Sequence, residues 1–294
     1  MENKVRRFWS EEEICFLKEN YPKNGGIFCA QHLCRTLIAV QRKAIIIGLR
    51  QTSEQKSIIR KREEINRDYN SYEVNPIQFL KIDTAEIAYI LGLLWSDGYV
   101  NKKTNAISIS IKKEDFDKIK HIFKKTGNWR FYDRKPLGNR AIQTTAHTSN
   151  SVIKNFLSEN DYLVKSNNSA DKILNKIPNN LKHYFFRGVV DGDGCFYVKL
   201  KTDKNKVCRH CSIGGTLQQD WGFLEKLFNK KLKIKFSIER TTRENGKYSK
   251  VMLTNKESIE SFGNYIYEGF PEDSMGLKRK YEKFIGILKS YSLK

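Results

Sequence analysis

The stretch Ile90-Leu-Gly-Leu-Leu-Trp-Ser-Asp-Gly98 recurs in altered form as Phe186-Arg-Gly-Val-Val-Asp-Gly-Asp-Gly194. In both copies an apolar run ends in Asp-Gly, and small residues occupy the third and seventh positions. Residues four apart lie on one face of a helix, and small residues there let two backbones approach closely. The repeat therefore predicts two helices that pack against each other.

Each predicted helix ends at an aspartate, so their packing would bring Asp97 and Asp193 together. We expect Gly98 and Gly194 to adopt the left-handed conformation that ends each helix. Two carboxylates held close repel one another and recruit Mg²⁺, and paired metals stabilise both the attacking and the leaving oxygen of phosphodiester hydrolysis. The pattern therefore predicts an Mg²⁺-dependent phosphodiesterase.

The repetition matters more than either copy, because a lone Asp-Gly is typical of a hairpin turn. The two aspartates lie 96 residues apart, and each is followed by a strand-like hairpin, an amphipathic helix, further strand and a basic helix. The first half, to about residue 170, contains the alternating strand 107–111 and a helix over 116–123. The second half, 171–294, restates this order.

At these residues the chain resembles the LAGLIDADG homing endonucleases in their single-chain, two-motif form. Gly at the third position, Asp at the eighth and Gly at the ninth occur in both copies, while the sixth position is Asp191 in the second copy and Trp95 in the first. The resemblance implies an α+β fold over residues 77–290, in which pseudo-symmetric αββαββα repeats form a DNA-binding saddle. It also implies a monomeric pseudo-dimer that makes a staggered double-strand break in a long, asymmetric site.

The resemblance further implies which residues form the site. Asp97 and Asp193 would bind Mg²⁺ with help from the carbonyl oxygens of Ser96 and Gly192.

Two lysines are similar to the active-site lysines of the family. These are Lys165 and Lys278, whose charge would stabilise the negative charge that hydrolysis builds. Gln218 and Lys112 fall near positions where the family places a polar residue close to the metals.

The charge of the chain favours a nucleic-acid partner. A formal net charge of +21 over 294 residues would neutralise phosphates and release counterions. Residues 1–75 hold 14 Lys and Arg against 10 Asp and Glu, a net +4, so +17 of the +21 belongs to residues 76–294. Basic side chains of the strand candidates and their loop can hold phosphates or read guanine edges: Lys102, Lys103, Lys199, Lys201, Arg240, Arg243 and Lys247.

Membrane and secreted classes are disfavoured. No apolar stretch reaches about 18 residues and no positively charged, apolar leader opens the chain. The six cysteines contain only one close pair, Cys208 and Cys211, which is too few ligands for a structural zinc site. We expect an intracellular protein, in the cytoplasm or nucleoid of a microbial or phage host or in an organelle.

The N-terminal segment, residues 1–50, predicts a small all-α three-helix domain. Ser10 and Glu13 form a capping box ahead of a helix that Pro22 ends, and a second helix follows Gly25-Gly26. Thr36 caps a third helix, which Gly48 stops. Residues 51–75 are polar and basic and indicate a linker or a fraying helix ahead of the larger domain, 76–294.

The patterns 9–13, 17–22 and 33–44 are similar to Myb/SANT-like helix-turn-helix domains. That resemblance implies a third helix in the major groove of DNA, with Gln41, Arg42 and Lys43 as contacts. A helical protein-interaction module with a solvated charged face remains an alternative, since the segment is only weakly basic.

Two alternatives share the larger scaffold. One is a catalytically silent DNA-binding regulator and the other is an intron RNA maturase, which would bind RNA by shape and phosphate. Neither role needs the two carboxylates, so the presence of Asp97 and Asp193 argues against a protein that is only a regulator or only a maturase. The chain opens Met-Glu and closes Ser-Leu-Lys, so we expect a free-standing or intron-encoded protein rather than an intein.

Overall fold

The computed structural model describes residues 8–65, 75–134, 141–201, 206–243 and 246–292. The chain folds into two compact units, Met1–Asp68 and Tyr69–Lys294. No helix among the described residues is long and apolar enough to cross a membrane.

The first unit contains three helices: α1 (Glu11–His32), α2 (Leu37–Ile46) and α3 (Ser53–Ile65). The predicted capping box is present, because the amide of Glu13 donates to Ser10 Oγ at 3.2 Å and the amide of Ser10 donates to Glu13 Oε2 at 3.0 Å. The prediction that Pro22 ends the first helix was wrong. The helix continues to a kink at Gly25, whose positive φ of 85° interrupts α1 without an intervening loop.

The helix α2 begins where the sequence predicts, since the amide of Ala39 donates to Thr36 Oγ1 at 3.2 Å. Leu17 and Val40 are fully buried in the small core of this unit. The segment interpreted as a linker contains α3, in which Ile59 is buried. Arg62 of α3 donates to Asn24 Oδ1 at 3.0 Å, so this helix packs against α1.

The second unit consists of two copies of one αββαββα arrangement, as predicted. Its helices are α4 (Gln78–Lys81), α5 (Ala85–Ser96), α6 (Lys113–Thr126), α7 (Ser151–Glu159), α8 (Asp171–Lys176), α9 (Lys182–Asp193), α10 (Gly222–Lys226), α11 (Lys256–Ile266) and α12 (Lys278–Ser290), with a 3₁₀ turn at Asn179–Leu181 and a π-helical turn at Leu227–Leu232. Its strands are β1 (Tyr99–Val100), β2 (Ile107–Lys112), β3 (Arg130–Arg134), β4 (Gln143–Thr148), β5 (Gly194–Lys201), β6 (Lys206–Thr216), β7 (Ser237–Arg243) and β8 (Gly246–Leu253).

The strands form two four-stranded antiparallel sheets, with orders β1-β2-β4-β3 and β5-β6-β8-β7. Their registers match, because Tyr99 and Cys195, each two residues after its motif aspartate, pair with Ser108 and Ser212, the residues immediately before Ile109 and Ile213. Ile109 and Ile213 therefore occupy equivalent positions in the two halves.

The helices α5 and α9 pack along the predicted seam between the halves. A Cβ atom on Gly92 would lie 2.0 Å from the carbonyl oxygen of Phe185, and one on Gly188 would lie 2.3 Å from that of Tyr89. Backbone atoms cannot move aside, so only glycine permits this approach. The prediction of two closely packed helices is confirmed.

The expectation of left-handed glycines at the helix ends was wrong. Gly194 is extended, with φ −82° and ψ 152°, and Gly98 is not among the glycines with positive φ. Glycine is required there for a steric reason instead. A Cβ atom would lie 2.5 Å from the carbonyl oxygen of Leu94 in the first half and 2.5 Å from that of Val190 in the second.

Candidate active site

Both motif aspartates lie at the C-terminal ends of the packed helices α5 and α9. Asp97 is the residue that caps α5, and Asp193 is the last residue of α9. Asp97 Oδ2 lies only 2.9 Å from the position of a Cβ atom on Gly192, so this carboxylate stands over the opposite motif. Within the described part of the chain, neither carboxylate accepts a hydrogen bond or forms an ion pair.

Both aspartates have a raised pKa, as expected for carboxylates without hydrogen-bonding partners among the described residues. The pKa of Asp193 is raised to about 6, first because the surrounding protein desolvates its carboxylate and second because the Asp97 carboxylate repels it. Desolvation also raises the pKa of Asp97, although the ammonium groups of Lys165 and Lys280 oppose that rise. A cation placed between the carboxylates would remove the repulsion.

Lys165 lies beneath the first motif. Its ammonium group donates to the carbonyl oxygens of Leu94, Ser96 and Gly98 at 3.0, 2.6 and 2.7 Å. The carbonyl oxygens of Ser96 and Gly98 lie at the end of α5, where helical partners are lacking and a cation is favourable. The carbonyl oxygen of Leu94 also accepts from the amide of Gly98 at 3.1 Å. Burial lowers the pKa of Lys165 to about 8 even though Asp193 and Asp97 favour its charged form.

Lys280 takes the equivalent position beneath the second motif. It is 7% exposed and its ammonium group donates to the carbonyl oxygens of Val190, at 3.2 Å, and of Gly194. Lys278, the residue proposed from the sequence, instead lies exposed at the start of α12, 3.8 Å from Glu282. Burial lowers the pKa of Lys280.

Sequence reasoning missed Lys280 although a signal was available. The buried residues of α12 are Lys280, Phe284 and Ile287, a spacing of four and then three that marks one helix face. Lys278 is not part of that face. The amphipathic pattern of the last helix therefore distinguishes the two lysines.

The predicted metal ligands come together in part. The two carboxylates converge, whereas the Ser96 carbonyl oxygen already accepts from Lys165. Among the described residues no cluster holds three or more His, Cys, Asp or Glu side chains. Two unpartnered carboxylates are nevertheless the hard oxygen donors that Mg²⁺ prefers, since this ion is usually held by one or two carboxylates and keeps several waters. The donor set therefore fits Mg²⁺.

Asp191, at the sixth position of the second motif, faces inward. Tyr89 Oη and the amide of Leu277 donate to its Oδ2 at 2.7 and 2.8 Å, and the residue is buried. One turn earlier, the fully buried Arg187 donates to the carbonyl oxygens of Ile266, Glu268 and Met275 and to Asp273. These contacts fix the segment 266–277 that leads to Lys280.

A cleft of about 570 Å³ adjoins Asp193 and is also lined by Lys165, Gln219 and Trp221. Gln219, rather than the predicted Gln218, lines this cleft, and its Nε2 donates to the carbonyl oxygen of Lys165 at 3.0 Å. Lys112 lies exposed at the end of β2 and pairs with Glu114.

The predicted DNA contacts on the second sheet divide between its two faces. We call the face turned away from the core the open face. Lys199 shares that face with Tyr197, which pairs with His210. Arg240 pairs with the buried Ser249 on the other face and donates to the carbonyl oxygens of Leu217 and of Gln219, at 3.1 Å. Lys247 is exposed, while the side chains of Lys201 and Arg243 lie outside the described residues.

Lys102 and Lys103 were expected in a strand, but they lie in the turn between β1 and β2. Asn101 Oδ1 accepts from the amides of Lys103 and Thr104 at 2.8 and 3.0 Å and so closes this turn. Both lysines are exposed.

The open face of the first sheet carries basic residues that sequence reasoning missed. Arg130, Tyr132 and Arg134 alternate along β3 and are exposed, and Arg130 pairs with His147 of β4. The alternation in Arg130-Phe-Tyr-Asp-Arg134 was the available signal, because every second residue of a strand faces the same side.

In the first unit, Gln41 and Arg42 are exposed on α2 and Lys43 is half-buried. This helix contains no acidic residue. Ile38 and Ile45 are also exposed on it, at 63% and 75%.

No family model matches the chain. A curated relative, the isomerizing glutamine-fructose-6-phosphate aminotransferase of Methanocaldococcus jannaschii, is 25% identical over 230 residues, which are 77% of this chain. The chain spans about a fifth, 19%, of the length of that relative.

The solved structures to which the chain is similar include the following three. The homing endonuclease I-WcaI bound to its DNA recognition sequence has 19% identity and a TM-score of 0.48, covering 81% of this chain and 97% of its own. The LAGLIDADG homing endonuclease I-GzeII in complex with its DNA target has 14% identity and a TM-score of 0.44, covering 76% and 94%. Full-length DUF199/WhiA from Thermatoga maritima has 14% identity and a TM-score of 0.40, covering 78% and 64%. All three likenesses are distant.

Proposed function

We propose that this protein is a site-specific DNA endonuclease that makes an Mg²⁺-dependent, staggered double-strand break. One observation carries the proposal: two unpartnered carboxylates, Asp97 and Asp193, meet at the end of the helix seam, and a buried lysine lies beneath each motif. The site thus has one carboxylate and one lysine for each of two phosphodiesters, one in each DNA strand. The two motifs, 90–98 and 186–194, resemble those of the LAGLIDADG endonucleases in ending with one aspartate each.

The charge distribution supports double-stranded DNA as the substrate. Residues 76–294 carry +17 of the net charge, and basic and aromatic side chains line the open faces of both sheets. Antiparallel strands fit the major groove, where such side chains reach phosphates and base edges. Arg130, Arg134 and Lys199 are our candidates for these contacts, together with the predicted Lys102, Lys103 and Lys247.

The roles of the site residues follow from their positions. Asp97 and Asp193 bind the divalent ions, with the Gly192 carbonyl as a further donor. Bound ions of this kind lower the pKa of water and stabilise the charge of attacking and leaving oxygens. Lys165 and Lys280 fix the helix ends that carry the aspartates and place positive charge beneath the phosphodiesters. We assign the second lysine role to Lys280 in place of Lys278.

We further propose that the first unit adds affinity or specificity as a helix-turn-helix-like module. Its α2 would lie in the major groove with Gln41 and Arg42 toward the DNA. The absence of acidic residues from α2 supports this placement.

The deciding experiment is to incubate the purified protein with a complex, AT-rich genomic library in Mg²⁺ and to sequence the DNA ends, with Ca²⁺ as the control. Paired, offset ends at one or a few long sites, seen only in Mg²⁺, would support the proposal and identify the target. Asp97→Asn and Asp193→Asn should retain binding and lose cleavage of at least one strand. Bound fragments without ends would favour a regulator, and selective binding of structured intron RNA would favour a maturase.

A further inference from the structure

Each half of the second unit holds the segment that carries the lysine of the other half. Arg279, next to Lys280, donates from Nε and Nη2 to the two carboxylate oxygens of Asp115 at 2.7 and 2.6 Å. Asp115 belongs to the first half and lies in the first turn of α6, where it is 8% exposed. A fork-to-fork pair with one partner so well buried fixes both direction and distance.

The opposite half makes the reciprocal contact. Gln219 Nε2 donates to the carbonyl oxygen of Lys165 at 3.0 Å. Asp115 and Gln219 lie in corresponding connections, since each comes three residues after the end of the equivalent strand, β2 or β6, although Asp115 is already in α6 and Gln219 precedes α10. The cross-half contact is therefore a repeated feature of the fold.

The two contacts differ in strength. Hydrogen bonds between two charged partners are shorter and roughly twice as strong as neutral ones, and Asp115 makes two of them. The Lys165 segment accepts one neutral hydrogen bond, from Gln219. Val164 precedes Lys165 as Arg279 precedes Lys280, and its side chain is uncharged. The Lys280 segment thus depends on a charged partner in the other half, whereas the Lys165 segment does not.

From this asymmetry we propose that Asp115 is a positioning residue for Lys280, acting through Arg279, and that it sets the rate at which one of the two DNA strands is cut. The inference rests on the proposed function. Loss of the pair frees the first turn of α12, so that Lys280 no longer holds the end of α9 and the Asp193 carboxylate at its tip. The centre supported by Lys165 keeps its own contacts.

The test measures the cutting of each strand separately in a duplex carrying a cleaved site and labelled on both strands. Asp115→Asn should slow one strand by roughly ten- to a hundredfold, the loss expected from a small misplacement of a catalytic group. The slowed strand should be the one that Lys280→Met also slows. Glu114→Gln is the matched control, because it removes the same charge from the same helical turn without contacting Arg279.

Restoration of the pair distinguishes a positioning role from a general loss of stability. Exchanging the charges, Asp115→Arg with Arg279→Asp, should recover strand-specific cutting at least in part. Equal slowing of both strands by Asp115→Asn, or no slowing, would overturn the inference.

Amide hydrogen exchange provides a measurement that needs no cleavage. Asp115→Asn should speed exchange several-fold in a peptide covering 277–281 and leave a peptide covering 162–166 unchanged. Unchanged exchange at 277–281 would overturn the positioning role by itself. If no DNA is cut by the wild-type protein, the proposed nuclease function fails, and the exchange result still decides whether Asp115 holds this segment.

Discussion

The ammonium group of Lys165 donates a 2.6 Å hydrogen bond to the carbonyl oxygen of Ser96, the residue immediately before Asp97. Through this bond the Lys165 ammonium group holds Ser96, whose backbone continues directly into Asp97. The position of the carboxylate therefore depends on the lysine directly. Lys280 donates to the carbonyl oxygen of Gly194, the residue immediately after Asp193, as Lys165 does to that of Gly98, the residue immediately after Asp97.

The first prediction distinguishes the two lysines of the last helix. Lys280→Met should slow cleavage of at least one strand by a hundredfold or more, in the range of about 10²–10³ seen on removing one electrostatic stabiliser. Lys278→Met should leave the rate within about twofold, because surface pairs such as Lys278 with Glu282 contribute little. Single-turnover cleavage at saturating protein measures both rates. The reverse ranking would return the catalytic role to Lys278.

The second prediction concerns the helix seam. Gly188→Ala should destabilise the second unit by about 1–3 kcal/mol or more, because the added methyl would meet the backbone of Tyr89 at 2.3 Å and that of Leu93 at 2.8 Å. Gly286→Ala in α12 is the control. Apart from its chain neighbours and the backbone of its own helix, no atom of the described residues lies within 4 Å of its added methyl, and alanine there should stabilise by up to about 1 kcal/mol. Denaturant unfolding gives both values, and equal effects would contradict a close seam.

The fold was predictable because the repeat carries its physical cause in the sequence. Small residues four apart in each motif predict a closely packed pair of helices. Because Asp-Gly stands at the same place in both motifs, that packing brings the two carboxylates together. Alternation in residues 107–111 marked a strand that is present as β2. These features depend on local patterns, which a single sequence contains.

The remainder depends on contacts between residues far apart in the chain. Arg279 is 164 residues from Asp115, and no local pattern announces their pairing. The face on which Arg240 lies follows from the register of β7 with β8, which only the folded sheet fixes. Lys280 is a different case, because the helical spacing of α12 already places it on the buried face of that helix and leaves Lys278 outside that face.

The third prediction is a pH dependence of the metal-free protein. The pKa of Asp193 is about 6 in the folded chain against an ordinary 3.8, so the folded state binds the proton more tightly. The free energy of unfolding should therefore fall as pH rises from about 4 to about 6, and this contribution should be constant above that range. Thermal unfolding in a chelator should show the fall in the wild type and a smaller one in Asp193→Asn.

Two comparisons sharpen the test. Asp133 has a lowered pKa because Lys113 and Thr144 donate to its carboxylate, so any contribution from it is lost as pH falls. Asp133→Asn should therefore leave the fall between pH 4 and 6 in place. Added Mg²⁺ should raise the melting temperature above about pH 6, where both carboxylates are charged, more than at pH 5. A pH-independent effect of Mg²⁺ that survives in Asp193→Asn would place the metal elsewhere.

The last prediction tests the open face of the first sheet. Arg130 and Arg134 are exposed on the same side of β3, and each arginine that neutralises a phosphate contributes about 0.9 to the slope of log affinity against log salt. The double change Arg130→Gln with Arg134→Gln should therefore reduce that slope by about 2, measured for DNA binding by the protein that carries both Asp97→Asn and Asp193→Asn. Lys124→Gln, which removes an exposed charge from the end of α6, should leave the slope unchanged. Because the slope counts neutralised phosphates and not total affinity, an unchanged slope after both arginines are lost would remove this face from the DNA interface.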